Sequence, residues 1–71
     1  MAMIISALFD EERTIENAVQ DLVGVGIPRD RIATQPEHKR VSVTIGEQAE
    51  PEITEILNRH QPTELHTRTL A

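Results

Sequence analysis

The sequence predicts one small α+β domain, because two kinds of residue pattern alternate along the chain. Some segments alternate apolar and polar residues, as strands do, and two segments repeat apolar residues at the spacing of a helix. Glycine and proline residues separate these segments. At 71 residues the chain has room for a single domain, residues 1–71.

The first strand and the first helix are predicted before residue 27. Residues 4–9 are mostly apolar on both alternating sides, which is typical of a central strand. Asp10 is suited to N-cap the following helix, and Gly26 is suited to end it in the left-handed conformation. The helix has one apolar stripe, formed by Ile15, Ala18, Val19, Leu22 and Val23.

The middle of the chain predicts two strands joined by a turn. Residues 31–35 form a short, weakly apolar strand, and Pro36 begins the turn. Residues 39–45 alternate regularly, as a half-buried strand does. The apolar side of this strand consists of Val41, Val43 and Ile45.

A second helix and a final strand complete the prediction. Pro51 suits the first turn of a helix, where its missing N–H has no intrahelical partner, and Pro62 ends that helix. The inner face of the helix consists of Ile53, Ile56, Leu57 and His60. Residues 64–70 alternate as a strand, with Leu65, Thr67 and Thr69 on one side.

The predicted order β, α, β, β, α, β is that of a ferredoxin-like fold. Right-handed crossovers place both helices on one face of a four-stranded antiparallel sheet, with the first and third strands in the centre. The other face is left uncovered. The first strand turns either Ile4 and Leu8 or Ile5 and Phe9 towards that face, and the sequence leaves both alternatives open.

An uncovered apolar sheet face predicts an interface, because contiguous exposed apolar area usually marks one. We therefore expect a homodimer, and a protein partner or a small metabolite is the alternative occupant. The expected interface residues are Ile4, Ile5, Leu8, Phe9, Val41, Val43 and Leu65.

The charge of the chain argues against nucleic-acid binding. The net charge is −5, whereas affinity for phosphate backbones depends on clustered Lys and Arg. Phe9 is the only aromatic residue, so the sheet has no set of rings on which RNA bases could stack. The middle of the chain nevertheless holds a basic group that either forms a solvated strand edge or meets an anion: Arg29, Arg31, Lys39 and Arg40.

Neither an enzyme nor a cofactor or metal site is expected. The chain has no cysteine, and the spacings of His38, His60 and His66 match no known zinc pattern. An enzymatic site would need His60 or His66 in a concave pocket beside a carboxylate. The apolar run at residues 1–9 is too short to span a membrane and lacks basic flanking residues, so we expect no membrane partner and a cytoplasmic location.

The first half of the chain resembles the opening of the small bacterial general stress (heat-induced stress) protein domain. The resemblance lies in Leu8-Phe9-Asp10, in the helix with Ala18-Val19, Leu22 and Gly26, and in residues 27–32. It implies an association with stress and no catalytic residues. The second half departs from that family, because a tight hairpin and a helix begun by Pro51 replace its glycine-rich extension.

The predicted topology also resembles that of ACT-like regulatory domains, which bind amino acids. This resemblance implies an effector site near the first strand and helix, at a subunit interface, where Asp10 and Gly26 have suitable positions. A second hypothesis is therefore a regulatory module for a small ligand, with a site lined by Asp10, Arg29 and Arg31.

Overall fold

The computed structural model describes residues 2–70, and its elements follow the predicted order. The strands are β1 (Ala2–Leu8), β2 (Ile32–Gln35), β3 (Arg40–Gly46) and β4 (Glu64–Leu70). The helices are α1 (Glu12–Gly24) and α2 (Glu50–Arg59). Single 3-10 turns lie at Arg29–Arg31, Pro36–His38 and Glu47–Ala49.

The four strands form one antiparallel sheet in the order β2-β3-β1-β4. The first and third strands are therefore central, as predicted, and β2 and β4 are the edges. Both helices contribute their buried residues to the same core as one face of the sheet, so both lie on that face. The fold is the predicted α+β arrangement of ferredoxin-like topology.

The core decides which way each strand faces. Ile5 and Ala7 of β1 are completely buried beneath the helices, and residues of a strand alternate between its two sides. Ile4, Ser6 and Leu8 therefore face away from the helices, which settles the alternative that the sequence leaves open. The core residues are Ile5, Ala7, Phe9, Ile15, Ala18, Leu22, Val41, Val43, Ile45, Ile53, Ile56 and Leu57.

Helix α1 begins differently from the prediction. Its N-cap residue is Glu11, which makes no side-chain cap hydrogen bond, and the expectation that Asp10 caps the helix is wrong. The N–H of Phe9 donates to the carbonyl oxygen of Lys39 at 2.9 Å. The backbone thus stays hydrogen-bonded to the residue before β3 for one position beyond β1, and α1 begins later than predicted.

The predicted end of α1 and the predicted start of α2 are confirmed. Gly26 has a φ of 104°, a left-handed conformation, and its N–H donates to the carbonyl oxygen of Val23 at 3.0 Å. Pro51 lies in the first turn of α2, and His60 is the C-cap of that helix. Neither of the described helices has the length and apolar character needed to cross a membrane.

Candidate functional site

The uncovered side of the sheet, here named the open face, is a regular grid of side chains. The strand register places one residue each of β4, β1 and β3 side by side in every row. Four rows lie on this face: Leu70, Ala2 and Gly46, then Arg68, Ile4 and Thr44, then His66, Ser6 and Ser42, then Glu64, Leu8 and Arg40. Edge strand β2 extends the last two rows with Ala33 and Gln35.

The open face is a shallow surface that mixes polar and apolar side chains. All residues that β4, β1 and β3 contribute to the last three rows, except Thr44, line a groove of about 530 Å³. Ile4 and Leu8 provide the apolar part of this groove, and both are half-buried. Among residues 2–70 the one large apolar side chain that counts as exposed is Val25, which lies at the end of α1 and not on this face.

Five of the seven expected interface residues do not lie on the open face, and that part of the prediction is wrong. Ile5, Val41 and Val43 have no exposed surface, because they face the helices. Phe9 is 4% exposed and belongs to the same core. Leu65 is paired with buried Ala7 and packs against the core from the helix side. Only Ile4 and Leu8 remain on the open face.

The polar residues that β4 contributes to the open face are absent from the predicted interface. Glu64, His66 and Arg68 alternate with Leu65, Thr67 and Thr69, the residues predicted to share one side of the strand. The alternation of β4 therefore contains the signal that identifies these residues. If Leu65 faces the helices, the residues on the opposite side of the strand must face away from them.

Polar contacts on the open face hold some of these side chains and leave others free. The hydroxyls of Ser6 and Ser42 lie 3.1 Å apart and join β1 to β3. Arg40 donates from Nη1 to Oε1 of Gln35 at 3.1 Å. Within residues 2–70, the guanidinium of Arg68 makes no ion pair and no side-chain hydrogen bond.

His66 lies in a groove beside a carboxylate, as an enzymatic site requires, but within residues 2–70 it makes no hydrogen bond to a nucleophile. Its Nε2 lies 3.8 Å from Oε1 of Glu64 in the groove, and Ser6 is its neighbour across the strands. These are the residue types of a hydrolytic triad, which requires a hydrogen bond between nucleophile and base. Ser6 instead bonds to Ser42, and the side chains of His66 and Glu64 are 68% and 59% exposed.

The histidines do not form a metal centre within the described residues. His60 lies between the helices, where its Nε2 is 2.7 Å from Oδ2 of Asp21. His66 lies on the opposite side of the sheet, so the two imidazoles cannot share a ligand. Residues 2–70 hold no group of three or more side chains suited to bind a metal ion.

The three residues of the predicted ligand site are not brought together. Arg29 lines a groove of about 710 Å³ between α1 and β2. Arg31 lines a smaller groove of about 240 Å³ beside Gly46 and Ala49. Asp10 is exposed in the connection between β1 and α1 and lines neither groove. A site made by all three residues therefore has no support from the geometry.

Comparison with known proteins adds no family or function. No protein-family model, no curated protein and no solved structure matches this chain. The resemblances to stress proteins and to ACT-like domains therefore stay hypotheses, and the functional argument rests on the open face.

Proposed function

We propose that this chain is a non-enzymatic interaction domain that works as a homodimer through its open face. The observation that carries the proposal is the position of Ile4 and Leu8 on central strand β1, on the side that no helix covers. A second copy would remove both side chains from water, and burial of apolar area is favourable. The resemblance of the first half of the chain to stress proteins supports a stress-associated role for this dimer.

The charges of the open face support a second copy as the occupant. A symmetric dimer buries the same patch of both subunits, so that patch must complement itself. The open face holds Arg40 and Arg68 together with Glu64. A copy of the same face can place a carboxylate against an arginine, whereas a purely cationic face would repel its copy.

The size of the open face sets the expected strength of the dimer. Strands about 4.8 Å apart with a rise of about 3.3 Å per residue give a face of roughly 400 Å² per copy. Two such faces bury less than the 1,200–2,000 Å² or so of stable complexes. We therefore expect a dissociation constant in the micromolar range or weaker, as for transient complexes.

Sedimentation equilibrium over a concentration series from the micromolar to the millimolar range tests the proposal. We expect a monomer–dimer equilibrium for the wild-type chain and a monomer for Ile4→Lys, because the new charge would be buried in the interface. Asn17→Lys is the matched control, since Asn17 is exposed on α1 and should leave dimerisation unchanged. A wild-type chain that stays monomeric throughout, or an Ile4→Lys variant that dimerises as the wild type does, would refute the proposal.

A further inference from the structure

We infer that the two copies meet with their β1 strands antiparallel, so that Arg68 of each copy pairs with Glu64 of the partner subunit. This inference rests on the proposed homodimer and adds its arrangement. The residues that carry it are Glu64, His66 and Arg68, which follow one another at every second position along β4 on the open face.

The order of these residues is complementary to itself. The residues Glu64 and Arg68 lie at equal distances on either side of His66, which shares its row with Ser6 and Ser42. A twofold axis that runs parallel to this row, midway between the two packed faces, places each strand antiparallel to its copy. It therefore places Arg68 against the partner's Glu64.

The same axis also matches β1 and β3. Ile4 faces the partner's Leu8, so the apolar residues of β1 cover each other. Thr44 faces the partner's Arg40, a neutral neighbour for that charge. His66 faces its own copy at the axis. No two permanently charged side chains of like sign meet, which is the arrangement that an isologous interface requires.

A twofold axis along β1 is the alternative that would also pair Glu64 with an arginine. It would place Glu64 against the partner's Arg40, and Arg68 against the partner's Thr44. Arg40 already donates to Gln35 of its own chain at 3.1 Å, whereas Arg68 has no such partner within residues 2–70. The axis along β1 would therefore give a further partner to Arg40, which already has a hydrogen bond, and would leave Arg68 without an ion pair.

Charge reversal followed by mixing tests the arrangement. Glu64→Arg alone sets two arginines against each other, and Arg68→Glu alone sets two glutamates against each other, so each variant should dimerise about tenfold more weakly or worse. An equimolar mixture of the two restores both opposite-sign pairs, and we expect heterodimers about as tight as the wild-type dimer by sedimentation equilibrium. Circular dichroism of each variant establishes that it is folded.

The matched control mixes Glu64→Arg with Arg40→Glu. In the antiparallel arrangement Arg40→Glu alone keeps both Arg68–Glu64 pairs and should dimerise as the wild type does. Its heterodimer with Glu64→Arg should stay weaker than the wild-type dimer, because the new arginine would face the partner's Arg68 in one of the two pairs. A heterodimer as tight as the wild-type dimer in the control mixture and not in the first mixture would overturn the antiparallel arrangement. A wild-type dimer with recovery in neither mixture would also overturn it and leave the homodimer standing. A wild-type monomer would overturn the proposed function itself.

Crosslinking provides a second measurement that does not depend on charge. The chain has no cysteine, so a single introduced thiol is unique in each copy. His66→Cys places the two thiols face to face, well inside the spacing of about 10 Å between the backbones of packed sheets, so a short bis-maleimide can join them. Thr44→Cys, whose thiols lie apart across the axis, is the control. A His66→Cys variant that crosslinks no better than Thr44→Cys would overturn the arrangement.

Discussion

Nε2 of His60 lies 2.7 Å from Oδ2 of Asp21, and this contact joins the end of α2 to α1. The side chain of His60 is 17% exposed and that of Asp21 is 53% exposed, so water reaches one partner more than the other. The contact connects the two elements that cover the core. It is the one side-chain hydrogen bond between the helices among residues 2–70.

We predict that Asp21 and His60 stabilise the fold together. A double-mutant cycle with Asp21→Ala and His60→Ala should give a coupling free energy of about 0.5–1 kcal/mol. The value is modest because Asp21 is largely exposed, and water weakens its attraction to His60. Urea denaturation at constant pH measures it. The pair Glu55 and Arg59, 2.8 Å apart and both well exposed on α2, is the control and should couple by no more than about 0.5 kcal/mol. Equal coupling in the two cycles would contradict the prediction.

The hydroxyl of Thr54 supports a stabilising substitution. This oxygen is buried in α2 and finds no hydrogen-bond partner within residues 2–70. An unsatisfied buried polar group costs about 1–3 kcal/mol, and valine replaces it with a methyl group of similar shape. We therefore expect Thr54→Val to raise the free energy of unfolding by about 1 kcal/mol, which corresponds to a rise in Tm of roughly 4–8 °C in a domain of this size.

Thr54→Ser is the matched control for that substitution. It keeps the hydroxyl and removes the methyl group, so it should lower the melting temperature measured by circular dichroism. A Thr54→Val variant that melts below the wild type would show that the hydroxyl has a partner, such as a bound water molecule.

The elements of this fold could be predicted from the sequence because their signals are local. The apolar stripe of α1 and the alternation of β3 are each contained in one segment. The start of α1 could not be predicted in this way. It depends on the hydrogen bond from Phe9 to Lys39, two residues that are distant in the chain.

The candidate site was harder to predict than the fold because it depends on strand register. The strand β1 has apolar residues on both sides, with Ile4 beside Ile5, so its own pattern does not say which side the helices cover. Its pairing with β3 and β4 decides this, and register is set by contacts between strands that are distant in sequence. Arg29 and Arg31 lie two residues apart in a 3-10 turn and line different grooves, which their closeness in the chain does not predict.

The two glycines near the end of α1 should respond oppositely to alanine. A Cβ at Gly24 or at Gly26 would meet no atom within 4 Å, so packing does not distinguish them. Gly26 has a φ of 104°, which L-residues rarely adopt, and we expect Gly26→Ala to destabilise the fold by about 1 kcal/mol or more. Gly24 ends the helix, where alanine should be neutral or stabilise by up to about 1 kcal/mol. Thermal denaturation of both variants checks this, and equal losses would contradict the assigned conformation of Gly26.

The neighbouring residues Ile4 and Ile5 give the most direct test of which face of the sheet is covered. Ile5 has no exposed surface, so Ile5→Ala should leave a cavity and cost about 2–5 kcal/mol. Ile4 is half-buried on the open face, and Ile4→Ala should cost only about 1 kcal/mol. The two substitutions remove the same atoms from adjacent positions of one strand, so strand propensity contributes nearly equally to both. Urea denaturation should use a low protein concentration, because dimerisation would make stability depend on concentration. A larger loss for Ile4→Ala would mean that the helices cover the opposite face of the sheet.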